Sequence, residues 1–168
     1  MVFVEMPIWE AGSRLLIAAA LGMVVGFERE FRHKPAGIRT HMLVATGSAA
    51  FMILTLELAL GPLKVIDQAS ADPTRIIQGI IGGIGFLGAG AIIQGGREVT
   101  GLTTGASIWV AGAIGIASGI GFVDFAVLLT VIVVAIVYVI GRLEGMIMDR
   151  VEKSTSAERP EKGHDEPE

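Results

Sequence analysis

Charged residues are missing from five long stretches of this chain: no Asp, Glu, Lys or Arg falls within residues 15–27, 40–56, 76–96, 99–123 or 125–141. A helix needs roughly 20 apolar residues to cross about 30 Å of hydrocarbon, so each stretch approaches the length of a membrane span. One such run would also suit a buried helix of a soluble core. Five in a single short chain do not. The pattern predicts helices over 9–26, 41–60, 74–94, 102–118 and 125–141. Pro7 precedes the first, where a missing N–H is tolerated. Gly61-Pro62 ends the second, because proline removes the donor that a continuing helix needs. Asp72-Pro73-Thr74 opens the third, with Asp72 suited to cap free N–H groups. A tight turn around Gly119 and Gly121 leads through Asp124 into the fifth.

The polar connections set the expected orientation. FEREFRHKPAGIRTH holds Arg29, Arg32, Lys34 and Arg39, GGREVTG adds Arg97, and Arg142 and Arg150 follow the last apolar run. The loop GPLKVIDQASADPT has one Lys and two Asp. Lys and Arg density marks the cytoplasmic side. The expected fold is therefore all-α, a polytopic transmembrane helix bundle of about five spanning helices, with the N-terminus outside and the C-terminus cytoplasmic. A pair of re-entrant segments within 75–120 stays open as an alternative, since glycine permits broken helices where protein shields the backbone. The first basic residue is Arg14, so the start lacks the positive region of a signal peptide and 9–27 is read as a retained helix. Residues 1–150 form the transmembrane domain. The end, ERPEKGHDEPE, has no apolar residue, and 151–168 is expected to be a disordered charged cytoplasmic tail.

Composition narrows the function classes. Of 168 residues 52% are hydrophobic and 18% charged, outside the usual soluble domain. With no Cys, neither a disulfide framework nor a thiolate metal site is available. His33 and His41 are separated by a proline-containing loop, a poor zinc pair. Trp109 and Tyr138 read as packing residues. No Ser-His-Asp arrangement, paired hydrolase carboxylates or HExxH motif is present, so the reading is nonenzymatic, with no cofactor and no nucleic acid.

Two polar clusters remain. At the inner end, Glu28 and Glu30 sit beside Arg29 and Arg32, while Arg39, Thr40 and His41 open the second helix and Thr103 and Thr104 open the fourth. A carboxylate near the bilayer needs a cation or a wet cavity, because leaving it unpaired in hydrocarbon is costly. The cluster serves either as an interfacial anchor or as a functional inner site. At the outer end, Asp67, Asp72, Arg75 and Asp124 are candidates to approach one another, with Glu57 deeper. Hard Mg²⁺ prefers carboxylate oxygens and retained waters, which makes it a candidate partner there; helix capping and ion pairing are the plainer roles.

Small residues recur every four positions: Ala18, Gly22 and Gly26; Ser107, Ala111, Gly115 and Gly119; Gly79 and Gly83. Such ladders share one helix face and let backbones approach closely. Gly83, Gly85 and Gly88 formally match a dinucleotide fingerprint, but they lie inside a membrane-length apolar run with no preceding strand or following acid. Close packing, or a broken helix exposing carbonyls to a polar cavity, is the better reading for them.

Three extended segments, GMVVGFEREFRHKPAGIRTHMLVATG at 22–47, DPTRIIQGIIGGIGFLGAGAII at 72–93 and GLTTGASIWVAGAIGIASGIG at 101–121, resemble the MgtC/SapB family. The resemblance implies a multi-pass protein of the bacterial inner (plasma) membrane, associated with magnesium homeostasis or ionic-stress adaptation. It places the family's recurrent positions on Glu28, Arg29, Glu30, Lys34, Gly37, Arg39, Thr40 and His41, then Asp72, Arg75, Gly83, Gly85, Gly88 and Gly90, then Gly101, Thr103, Thr104 and Trp109. Gly90 joins the packing set on this ground. Virulence-type members carry a folded cytoplasmic C-terminal domain where this chain has a short tail, and position 105 is Gly where Ala is common. The short SapB-like form is the expected match. Besides the lipid bilayer, the expected partner is another membrane protein or a second copy. Regulation of a membrane partner is the leading function; an ion transporter or channel, for Mg²⁺ or another ion, is the alternative.

Overall fold

The structure is a computed structural model and describes residues 6–60, 73–95 and 98–157. Five helices and one hairpin follow in order: α1 (Ile8–Phe31), α2 (Ile38–Leu60), α3 (Pro73–Gly90), β1 (Ile93–Gly95), β2 (Glu98–Thr100), α4 (Leu102–Ile120) and α5 (Val123–Ala157). Among the described residues, four helices are long and apolar enough to cross a membrane: Ile8–Phe31, Ile38–Ala59, Leu102–Ile120 and Val123–Ile147. α3 has 18 residues. Both α3 and α4 are continuous.

Helix ends differ from expectation where charge was read as a boundary. α1 runs five residues past Gly26, because Glu28, Arg29 and Glu30 are good helix formers and Glu28 pairs at 2.6 Å with Arg32, the capping residue one turn on. It stops at His33, whose φ of +55° is left-handed. His33 N–H donates to Glu30 O at 2.9 Å and Lys34 N–H to Arg29 O at 3.0 Å, the paired bonds of a Schellman end. Pro35 then bars continuation. α3 stops at Gly90, short of the expected residue 94, since 93–95 and 98–100 form an antiparallel hairpin pairing Ile93 with Thr100 and Gly95 with Glu98. Gly101, at φ +86°, turns the hairpin into α4; a side chain there would run into Ala91 O. α5 continues to Ala157, seven residues into the stretch expected as a disordered tail. Residues 142–157 contain no proline and many helix formers, so the apolar limit of the span is not the limit of the helix. The rest of that stretch, 158–168, lies outside the described residues.

Contacts divide the chain into two units, Met1–Val134 and Ala135–Glu168. The second consists, where described, of the later turns of α5. In the first, α4 is the central element, packed on α1, α2 and α3. It is small-residue rich, and Ser107, Ala111, Ile114, Gly115 and Ser118 are all buried. Neighbouring backbones touch through missing side chains. A methyl at Gly22 would stand 2.6 Å from His41 O, one at Gly26 2.6 Å from Ile38 Cα, and one at Gly119 2.7 Å from Ala49 O; at Gly115 it would overlap Ala45 O. Gly88 and Gly105 face each other reciprocally across α3 and α4, at 3.2 and 2.8 Å from the opposing carbonyls.

Candidate functional site

The end of α1 and the starts of α2 and α4 meet in one buried polar chain. Arg29 lies on the α1 face that turns toward α4 and is 2% exposed; its Nη2 donates to Thr104 Oγ1 at 2.9 Å. Thr104, in the first turn of α4, passes the connection on through its carbonyl, which accepts from Ser107 Oγ at 2.8 Å. Ser107 Oγ in turn lies 3.0 Å from Nε2 of His41, a fully buried residue in the first turn of α2. His41 Nδ1 is 2.8 Å from Gly37 O. A carbonyl only accepts, so Nδ1 carries a hydrogen and the neutral ring presents Nε2 as an acceptor. The single hydroxyl hydrogen of Ser107 therefore serves either Thr104 O or His41 Nε2.

Glu28 borders this chain with its side chain 10% exposed. Its Oε1 lies 2.6 Å from Arg32 Nε, yet neither carboxylate oxygen has a hydrogen bond, so the pair is a charge contact with poor N–H alignment. Arg29 Nε is likewise buried without a hydrogen bond among the described residues. Glu30 turns the other way: its Oε2 accepts from Ile38 N–H at 2.9 Å and caps α2. Lys34, Arg39 and Thr103 are exposed, and Thr40 is half-buried. The inner cluster thus separates into a buried group, Glu28, Arg29, His41 and Thr104, and an exposed basic rim.

The outer cluster is described only in part. Asp67 and Asp72 lie outside the described residues, and Arg75 and Asp124 are exposed with no hydrogen bond or ion pair among those described. Glu57 accepts from Met6 N–H at 3.1 Å. Sequence reasoning missed the residue that organises this end. Arg14 pairs with Glu10 at 2.7 Å, donates from Nη1 to Gly119 O at 2.8 Å and lies over Gly121, whose φ is +98°. It caps α4 from α1. In sequence Ser107 likewise reads only as a small packing residue, although its place three residues after Thr104 puts both on one helix face.

Of the glycines expected to pack, Gly22, Gly26, Gly88, Gly115 and Gly119 face backbone, whereas Gly79, Gly83, Gly85 and Gly90 have nothing within 4 Å of an added methyl. The split reflects the position of α3, which meets α4 closely toward its Gly88 end. Among the described residues no three His, Asp or Glu side chains are placed to hold a metal.

Comparison with known proteins gives one family. The MgtC family model matches residues 15–146. Protein MgtC of Brucella abortus is 40% identical over 130 residues, covering 77% of this chain and 51% of that protein. An uncharacterized protein of Haemophilus influenzae is 41% identical over 122 residues, 72% of this chain and 51% of the relative. The Escherichia coli K12 protein named putative magnesium transporter YhiD is 36% identical over 137 residues, 82% of this chain and 63% of that protein. This chain spans about half the length of the first two relatives. No solved structure matches it.

Proposed function

The chain belongs to the MgtC family, and from that membership we propose that it is a nonenzymatic protein of the bacterial inner membrane that acts in magnesium homeostasis or ionic-stress adaptation by regulating a membrane partner. The observation that carries this reading is the buried chain Arg29, Thr104, Ser107 and His41. Its groups bond to one another and join three helices at one end of the bundle. Beyond it, the seam between α2 and α4 is closed by Gly115 on Ala45 and Gly119 on Ala49. Such a joint fixes the relative positions of three helices, which a regulator needs in order to present a defined face. A conduit needs a hydrated path instead.

Transport is the second reading. It is favoured by the name of the E. coli relative and by Glu28 Oε2 and Arg29 Nε, buried polar atoms without hydrogen bonds among the described residues. Proteoliposomes loaded with a Mg²⁺ indicator separate the two. The expected result is no flux above protein-free vesicles, while the same protein restores low-magnesium growth to a bacterium stripped of its own family member. Protein-dependent flux that Glu28→Ala abolishes with the fold retained would overturn regulation in favour of transport.

A further inference from the structure

A groove of about 790 Å³ runs between α2 and α3, from Leu43 and Leu87 at one end to Leu58 and Arg75 at the other. Gly47, Gly79 and Gly83 line it, and a methyl on any of them would meet nothing within 4 Å. A glycine inside a helix is about 1 kcal/mol less favourable than alanine. Glycines at a lipid-facing recess gain nothing from hydrocarbon; what they permit is the close approach of another helix.

Arg75 defines the occupant further, because it closes one end of this apolar groove without a hydrogen-bond or ion-pair partner among the described residues. An arginine at the rim of an apolar groove is best met by an anion at its own level. The described acids at that end are mostly engaged: Glu10 holds Arg14 and Glu57 accepts from Met6 N–H. Asp124, in the first turn of α5, is exposed and without a partner among the described residues. It stands at the right height, since Phe122 and Phe125 on either side of it line a small cavity with Ile77 of the second turn of α3.

From these positions we infer that two copies of this chain pair in the membrane, with the first turns of α5 of one copy seated in the groove between α2 and α3 of the other. Both helices start at the same end and run in the same direction, and a two-fold axis along the membrane normal preserves that. The registers agree step for step. Arg75, Gly79 and Gly83 on α3 and Asp124, Leu128 and Ile132 on α5 each advance by four residues, so Asp124 meets Arg75 while two large side chains enter above two glycines. Leu128 is 56% and Ile132 45% exposed in the single copy. The opposite face of α5, Ala126, Thr130 and Val133, is already buried. The contact is exchanged, each copy giving its α5 and receiving the other's, and it closes at two.

The chain has no cysteine, so introduced pairs are clean reporters. Two differently tagged copies are co-expressed, one carrying Gly79→Cys and the other Leu128→Cys. Oxidation should give a mixed disulfide dimer, while Gly79→Cys against Leu16→Cys, an exposed α1 position, should not. In lipid nanodiscs, Arg75→Asp or Asp124→Arg alone should lower the dimer fraction by on the order of tenfold. The double exchange should restore it, which also controls for folding. A chain that stays monomeric at every protein-to-lipid ratio, a monomer that retains lipid in native mass spectrometry, or a dimer indifferent to the charge exchange would each overturn the interface.

Discussion

Arg29 holds its charge at 2% exposure with one hydrogen bond, to Thr104. Removing the acceptor leaves a buried donor unmet, so Thr104→Val is expected to lower stability by about 1–3 kcal/mol and Thr104→Ser to restore most of it. Thermal unfolding in lipid nanodiscs checks this; equal melting of the Val variant would show that the bond contributes little. His33 gives the opposite case. A left-handed φ disfavours a residue with a Cβ by roughly 1–2 kcal/mol, so His33→Gly should stabilise and His33→Val should destabilise, read by the same melting experiment. Glu28, Arg29, His41 and Thr104 were legible as a polar set because charge and hydroxyl groups stand out against an apolar chain. Their separation from Lys34, Arg39 and Thr103 was not, since it depends on which way each helix faces, and that is fixed by the neighbours. Ser107 and Arg14 escaped for a related reason: one looked like a spacer, and the partner of the other is 105 residues away.

At the scale of the element, the glycines sort by what they face. Gly115→Leu would force a side chain into Ala45 O and should abolish monodisperse protein, whereas Gly85→Ala meets open space and should add about 1 kcal/mol of stability through helix propensity, seen as a higher melting temperature. Size-exclusion profiles and melting of the two variants check the contrast; a well-behaved Gly115→Leu would show that the α2 and α4 backbones are not in close contact. Charge-free runs located the helices of this chain, because burial in hydrocarbon selects against charge. They misjudged the ends of α1, α3 and α5, because what ends a helix is backbone geometry. Past Gly26, α1 runs through three charged residues and turns off only at His33, and α3 gives way to a hairpin at Ile93 within an unbroken apolar run.

The whole molecule is a multi-pass membrane protein whose orientation the charge pattern predicts and labelling can test. Single cysteines at Asp67 and Arg97 should react from opposite faces of the membrane in intact cells, with position 97 reached only after permeabilisation. Labelling of both from one side would reverse or break the proposed topology. Architecture at this scale was legible because the bilayer dictates length and polarity. The contacts that order the bundle were not, for they join residues distant in sequence. Arg14 shows what this means for a growing chain. Its guanidinium is made long before the α4 carbonyl that it caps, and until α4 arrives it has Glu10 to hold it. Without α4 the Arg14 guanidinium keeps its Glu10 partner and lacks its second acceptor, so one contact finishes the ends of two helices. The latch needs both ends of the chain's first 120 residues, and a chain interrupted before Gly119 would keep its opening helix unlatched at that end.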